Sequence, residues 1–597
     1  MNPPPTLHPV QALWSDPDHG VVARIEEVMA RHGARPARCV VLVPYAQLMG
    51  VARAMWAHCA TAGAAPRFET TRNWARGVGD FTPAPHDLSF DMARDLVTAQ
   101  ALLAQTSFGA DKQTLAGGLV ELAGQLAPLA AAHHPDARAE WMLALQSALR
   151  IEGDAEWFKT EGALNAIALA WVANTAYATD VLLQGPEATH VDLLIVLEGL
   201  QADPLALALC ERWGDSAERI PFPACEAPAE PALLHAAADP QDEAERAAAC
   251  VMRRLAEGHA AVALVATDRV LTRRIAAQLQ SLGVPTHDET GWKLSTTRSA
   301  ATLMGALRAC AREATSDEVL DWLKSTGDLP AGEVDVLETR LRREGLREWR
   351  RWSRAIAAGT RDEDAPLRRL TATVDARRAG LSKARPLDDW LRDLRRLLEA
   401  TQAWDALAAD AAGAGVVTAL WLDADERSGD AATGAVAEVG DAGSRQPDAA
   451  AAATPARRLS DGRFTLGEFT GWVRDVLEAG SFVPPAGGAA SHVVVLPMQQ
   501  LLGRAFDAVV MPGCDERRLP ASPEPPGAWT AAQRLALGLP SREALEAAQR
   551  AAWAMALCQP RCELLWRVAD STGEPMRPSA LLQALRLDGG AVDGADP

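Results

Sequence analysis

Phosphate chemistry is where the residue types of this sequence are most informative, because its requirements are specific. A phosphate-binding loop needs a glycine-rich turn whose amides cradle the anion, ending in Gly-Lys-Ser/Thr, which supplies charge and a magnesium ligand. Among the 597 residues there are five lysines, Lys112, Lys159, Lys293, Lys324 and Lys383, and none of them follows a glycine. The turn near the start of the chain, Ser15 to Gly20, carries Asp16 and Asp18, which would repel phosphate. Cys558 and Cys562 have the spacing of half a metal site, but no second pair lies near them, so they read as structural cysteines. No metal and no cofactor is expected.

The elements that would position a site are clearest near the end of the chain. Two apolar β-branched runs, Val493 to Leu496 and Ala508 to Met511, bracket a polar turn around Gly503 and read as buried parallel strands joined by a loop. The runs Cys39 to Val43, His190 to Leu200, Val262 to Thr267 and Cys562 to Trp566 read as further strands. The short apolar stretch Pro9 to Trp14 is expected to be a strand as well, leading through its turn into a helix from Val21 to His32. From 87 to 183 the apolar residues recur at helical spacing, as in Leu115, Leu119, Leu122 and Leu126. Alanine, glycine, aspartate and serine dominate residues 425–458, which are expected to form a flexible loop.

Composition narrows the class. The length exceeds a single core and predicts two to four domains. No run approaches the roughly 20 apolar residues of a membrane span. A cytoplasmic protein with no membrane contact is expected, and its nine cysteines, mostly in apolar context, are expected to be reduced. The formal charge of -19 argues against a general nucleic-acid-binding surface, since phosphate binding works by counterion release to Lys and Arg. Any DNA contact has to be a local basic channel. The arginine-rich stretch Thr339 to Arg354 reads first as a solvated helix face and second as such a contact.

The loop between Val493 and Met511 resembles motif V of superfamily 1 helicases, Thr-x-His-x-x-Lys-Gly-Leu-Glu-Phe, which senses nucleotide and grips single-stranded DNA. Gly503 and Phe506 match it, while Gln499 stands at the His position, Leu502 at the Lys position and Ala505 at the Glu position. The loop is kept and its ionic groups are gone. Cys39 to Leu48 looks like the Ia segment of the same helicases, and Val262 to Trp292 looks like the start of their second RecA-like domain. In that alignment Leu197-Glu198 replaces the Asp-Glu that ends a motor's Walker B strand, and Gln559 replaces the motif VI arginine that reaches the γ-phosphate. The pattern is similar to RecC and AddB, subunits of bacterial recombination helicase-nucleases whose helicase fold has lost its motor. AddB-type chains carry a nuclease domain with an Asp/Glu-x-Lys strand, and none of the five lysines has Asp or Glu two positions before it.

The resemblance implies an α/β fold of two RecA-like parallel-sheet domains of the P-loop NTPase kind, each with a helical insertion. Residues 1–86 and 184–235 would form the first domain around an insertion at 87–183. Residues 236–310 and 491–570 would form the second around an insertion at 311–490, with 571–597 leading towards a nuclease domain. The implied function is a non-catalytic subunit that binds DNA, as a single strand or a duplex end, together with an AddA-like motor helicase-nuclease subunit, in double-strand break repair by homologous recombination. The alternatives are an AddB-type nuclease subunit whose exonuclease domain lies beyond residue 597, and an interaction scaffold without a DNA role. DNA would cross the Ia and V loops at Tyr45, Arg53, Gln499 and Arg504, with Leu197, Glu198, Leu502 and Gln559 as degenerate motor positions and no catalytic residue.

Overall fold

The computed structural model describes residues 8–60, 64–147, 156–185, 189–225, 230–345, 347–423, 462–484 and 491–594. The fold is α/β, in two compact units: Met1–Phe81, Gly124–Thr290 and Ala486–Pro597 make the first, Thr82–Ala123 and Gly291–Pro485 the second. The strands in chain order are β1 (Cys39–Leu42), β2 (Arg67–Glu69), β3 (Leu193–Glu198), β4 (Ala217–Pro221), β5 (Ala232–Ala237), β6 (Val262–Val265), β7 (Thr286–Asp288), β8 (Trp292–Lys293), β9 (Ser481–Phe482), β10 (Val493–Leu496), β11 (Ala508–Met511), β12 (Cys562–Arg567) and β13 (Ala591–Asp593).

The first unit contains a four-stranded and a seven-stranded sheet, both parallel throughout. The smaller runs β2-β1-β3-β4, with Val41 opposite Phe68 on one side and Ile195 on the other. The larger runs β13-β5-β12-β11-β6-β10-β7. In it β6 lies between β10 and β11, with Val262 facing both Val493 and Ala508, so strands far apart in sequence share one sheet. Every residue of β1, β6 and β11 is buried, as is all of β3 and β12 except the last residue. Helices cover both faces of a parallel sheet, which is why these runs are continuously apolar rather than alternating. The helices Pro240–Ala256 and Arg269–Ser281 start at Asp239 and Asp268, whose carboxylates accept the free first-turn amides. They lay Ala244, Val251, Leu271 and Ile275 against Leu264 and Val495 of the sheet.

Two expectations are corrected here. Pro9–Ser15 is a helix, not a strand: Pro9 sits in its first turn, the His8 ring accepts from the Val10 amide at 3.2 Å, and the buried pair Val10 and Trp14 is one helical turn apart. Among the described residues no strand pairs with the outer edge of β4. The stretch 87–183 is helical but is not a single insertion, because the division between the units falls inside it. Trp421 donates to the Asp91 carboxylate and Trp472 to the Ala93 carbonyl, both at 3.1 Å, which ties the start of the stretch to helices of the second unit. Buried Arg138 bonds the Ala130 and Thr175 carbonyls and Asp180, which ties its later part together within the first.

Among the described residues, the second unit is helical apart from the short antiparallel pair β8-β9. Trp390 stacks on Phe469 at 5.0 Å and Phe469 on Trp472 at 5.9 Å, and the helices Leu387–Ala400 and Leu466–Ala479 meet there. The expected loop at 425–458 lies outside the described residues. Lys112–Ala131 is 20 residues long with a mean hydropathy of 1.2, long and apolar enough to cross a membrane, where no such run was expected; half of its apolar window is buried within the protein.

Candidate functional site

The loop from Pro497 to Asp507 joins β10 to β11 in the larger sheet, and residues of the smaller sheet's half of the unit grip it. Gly503 has φ +70°, and a Cβ there would stand 2.6 Å from the Phe222 ring and 3.2 Å from Leu48. Both the backbone conformation and the space therefore require glycine. Trp14 packs edge-on against Phe222 at 5.4 Å and donates its indole N–H to the Gly503 carbonyl at 2.8 Å. The His8 ring meets the Phe506 carbonyl at 2.8 Å through Nε2, which must carry the hydrogen because a carbonyl only accepts. From the other side Gln559 reaches in, 3 % exposed: its Oε1 accepts from the Phe506 amide at 2.9 Å and its Nε2 donates to the Arg504 carbonyl at 3.0 Å.

Four DNA-contacting residues were expected, and the structure divides them. The Tyr45 hydroxyl donates to the Leu502 carbonyl, with the Gln500 carbonyl 3.1 Å away, and burial pushes its phenol pKa up. Arg504 gives two hydrogen bonds to Glu289, at 2.7 and 2.8 Å, lies over the Phe506 ring and is 11 % exposed. Both groups hold the loop through these internal contacts. Arg53 is half exposed, donates to the Phe68 carbonyl at 2.9 Å and lies 3.6 Å from Glu69. Gln499 is exposed. Of the motor-like positions, Leu197 and Leu502 are buried core residues, Glu198 accepts from Arg219 at 2.6 Å, and Gln559 is the brace just described.

The cysteines correct a further expectation. Cys225 and Cys558 form a disulfide, so the nine are not all free thiols. Its two ends flank the grip on the loop: Cys225 follows Phe222 by three residues and Cys558 precedes Gln559. Proximity of residues 333 positions apart, which no sequence spacing announces, is the physical reason.

Two charged networks inside the larger sheet were not anticipated. His235 on β5 lies 2.6 Å from Glu563 on β12, and Arg253 and Arg254 bond the same carboxylate at 2.7 Å. Burial pushes the Glu563 carboxyl up, but hydrogen bonds from His235 and Arg253 and the nearby guanidinium charges outweigh it and hold the carboxyl at about 2. Cys250 completes a group that could ligate a metal, with ligand atoms within 4.8 Å of one another. Two guanidinium groups on the carboxylate already supply the positive charge that a cation would bring, so the cluster reads as an internal ion network. The second network fixes the turn after β11: Glu243 accepts from the Gly513 amide at 2.9 Å and from Arg518 at 2.6 Å, and Arg518 also bonds Asp515. A glutamate inside the apolar strand Cys562 to Trp566, and a histidine inside Ala232 to Ala237, were the available signals. A charged residue in a strand buried on both faces needs a partner.

The ends of β1 and β3 diverge, since the chain leaves β1 towards β2 and leaves β3 towards β4 on the opposite side. Such a switch point is where open α/β sheets hold ligands. A cavity of about 480 Å³ lies there, bordered by Pro44, Thr71, Glu198, Gln201 and Arg219. Among the described residues its one cation, Arg219, is paired with Glu198, and Asp203 adds a further negative charge, so it offers no free cation to a phosphate. Neither the protein-family models nor the curated proteins searched contain a match to the chain.

Proposed function

We propose that the chain is a catalytically silent helicase-like subunit of the RecC and AddB kind, with RecA-like domains on its two parallel sheets, that binds DNA and an AddA-like motor partner in double-strand break repair. The observation that carries this reading is the side chain of Gln559, which takes the arginine's place in the resemblance to motif VI and braces the loop at Arg504 and Phe506. Leu197 and Leu502, which in the same resemblance replace a metal ligand and a cation, support it by being buried core residues. Positions that would handle nucleotide serve internal packing, and the part left for such a chain is to hold a substrate or a motor. No cofactor is part of this reading.

Two measurements test it. Calorimetry with magnesium and ATP is expected to give no micromolar binding, and tight binding would overturn the silent-motor part. Purification of the tagged chain from its native cells is expected to recover a large DNA-dependent ATPase; recovery of unrelated proteins alone would overturn the partner part.

A further inference from the structure

The densest arginine run of the sequence is in the second unit, at the end of the helix Ala331–Glu344 and in the helix Trp349–Ala358. The second helix is firmly seated. Trp349 and Trp352 are fully buried, and their indoles donate to Asp375 and Glu344 at 2.7 and 2.8 Å. Ser353 also bonds Asp375, and Arg340 forms an ion pair with Glu344 at 2.5 Å. Glu338 is shared by Lys324 and Arg342. These acids are engaged by residues of the unit itself. Arg343, Arg347, Arg350, Arg351 and Arg354 are all exposed, and none has an ion pair or side-chain hydrogen bond among the described residues. The exposed acids within the run are Glu344, which Arg340 and Trp352 engage, and Glu348 at the start of the second helix.

Within the helix Arg350 and Arg354 are one turn apart and Arg351 and Arg354 three residues apart, so like charges stand side by side on it. Such neighbours repel by a few tenths of a kcal/mol per pair unless an anion bridges them. In a chain of net charge -19 this is a concentrated exception. We propose that this arginine face binds the phosphate backbone of a nucleic acid. Planar guanidinium groups suit phosphate oxygens. With both tryptophans buried there is no stacking platform, so the contact reads backbone and not base, and it is sequence-tolerant.

The inference rests on the reading of the chain as a DNA-binding subunit and moves the contact from the Ia and V loops to this face. The test is fluorescence anisotropy of the full chain with a short labelled duplex and the equivalent single strand, between about 50 and 200 mM salt. The variant Arg350→Glu/Arg351→Glu/Arg354→Glu is expected to lose at least tenfold in affinity and to flatten the slope of log K against log salt by about 3, since each phosphate contact contributes about 0.9 for a duplex. Single changes to alanine should each remove about 1 from that slope, with an unaltered unfolding midpoint. Parent and triple variant binding alike would overturn the placement and leave the proposed function standing. No binding by the parent would overturn both. A variant that keeps DNA but loses the copurifying ATPase would overturn the proposal and assign the face to a protein partner.

Discussion

Arg504 and the arginines of Trp349–Ala358 are the same residue type in two regions with opposite fates. Arg504 sits in the loop whose sequence most suggests a DNA contact, yet Glu289 takes both arms of its guanidinium and only a tenth of it meets solvent. Arg350, Arg351 and Arg354 sit in a stretch that reads as an ordinary solvated helix face, and they are unpaired among the described residues. The difference teaches that availability for a ligand is set by which counter-charges the fold brings alongside, and a local motif does not carry that information. A buried pair is costly to break and makes a scaffold, whereas an exposed unpaired cluster contributes little to stability and remains open to a partner.

The comparison breaks if substitutions in the first unit are mild or those on the arginine face are severe. The largest effect is expected at Glu563, where Glu563→Ala would strand the buried Arg254 guanidinium and the partly buried Arg253 beside it and should cost about 3–5 kcal/mol in denaturant unfolding. The same group gives a pH signature. Its carboxyl is held at about 2 in the fold against 4.5 for the free side chain, a depressed value, so its stabilisation is complete above 4.5 and is lost as pH falls through 2. Glu563→Gln should flatten the acid limb of the unfolding midpoint in that window, and an unchanged limb would assign it to another group.

Next comes Gly503→Ala, which combines a left-handed backbone with an approach to Phe222, and should cost about 3 kcal/mol by the same assay. Gln559→Ala leaves the Phe506 amide and the Arg504 carbonyl without their partner and should cost about 2 kcal/mol. Smallest of all, Arg350→Ala and Arg354→Ala should each lie within about 0.5 kcal/mol of the parent. A loss above 2 kcal/mol at either arginine would mean that the face is internal after all.

The apolar runs Val493 to Leu496, Ala508 to Met511 and Val262 to Thr267 were legible as strands because residues buried on both sheet faces are apolar without alternation. Pro9–Ser15 was misread because six apolar-rich residues fit either period, and the i, i+4 burial of Val10 and Trp14 emerges only once a core exists. The site was less legible than the fold. Gly503 could be singled out from its loop, but its reason, the Phe222 ring, lies in a segment 281 positions earlier by subtraction of the two residue numbers. Glu563, Arg253 and Arg254 illustrate the same limit, since ion pairing across a sheet leaves no periodic trace.

The Cys225–Cys558 bond also sets the covalent topology of the chain. It closes a ring that takes in Gly291–Pro485, the longer segment of the second unit. A single proteolytic nick anywhere between 226 and 557 therefore opens the ring without releasing a fragment, and the protein would still migrate near 63.5 kDa on a non-reducing gel. Reductant would separate the same sample into two pieces. A cut before Cys225, such as one in the stretch 82–123, releases its amino-terminal fragment from the covalent chain in either gel, so the two segments of the second unit differ in how they can be detached.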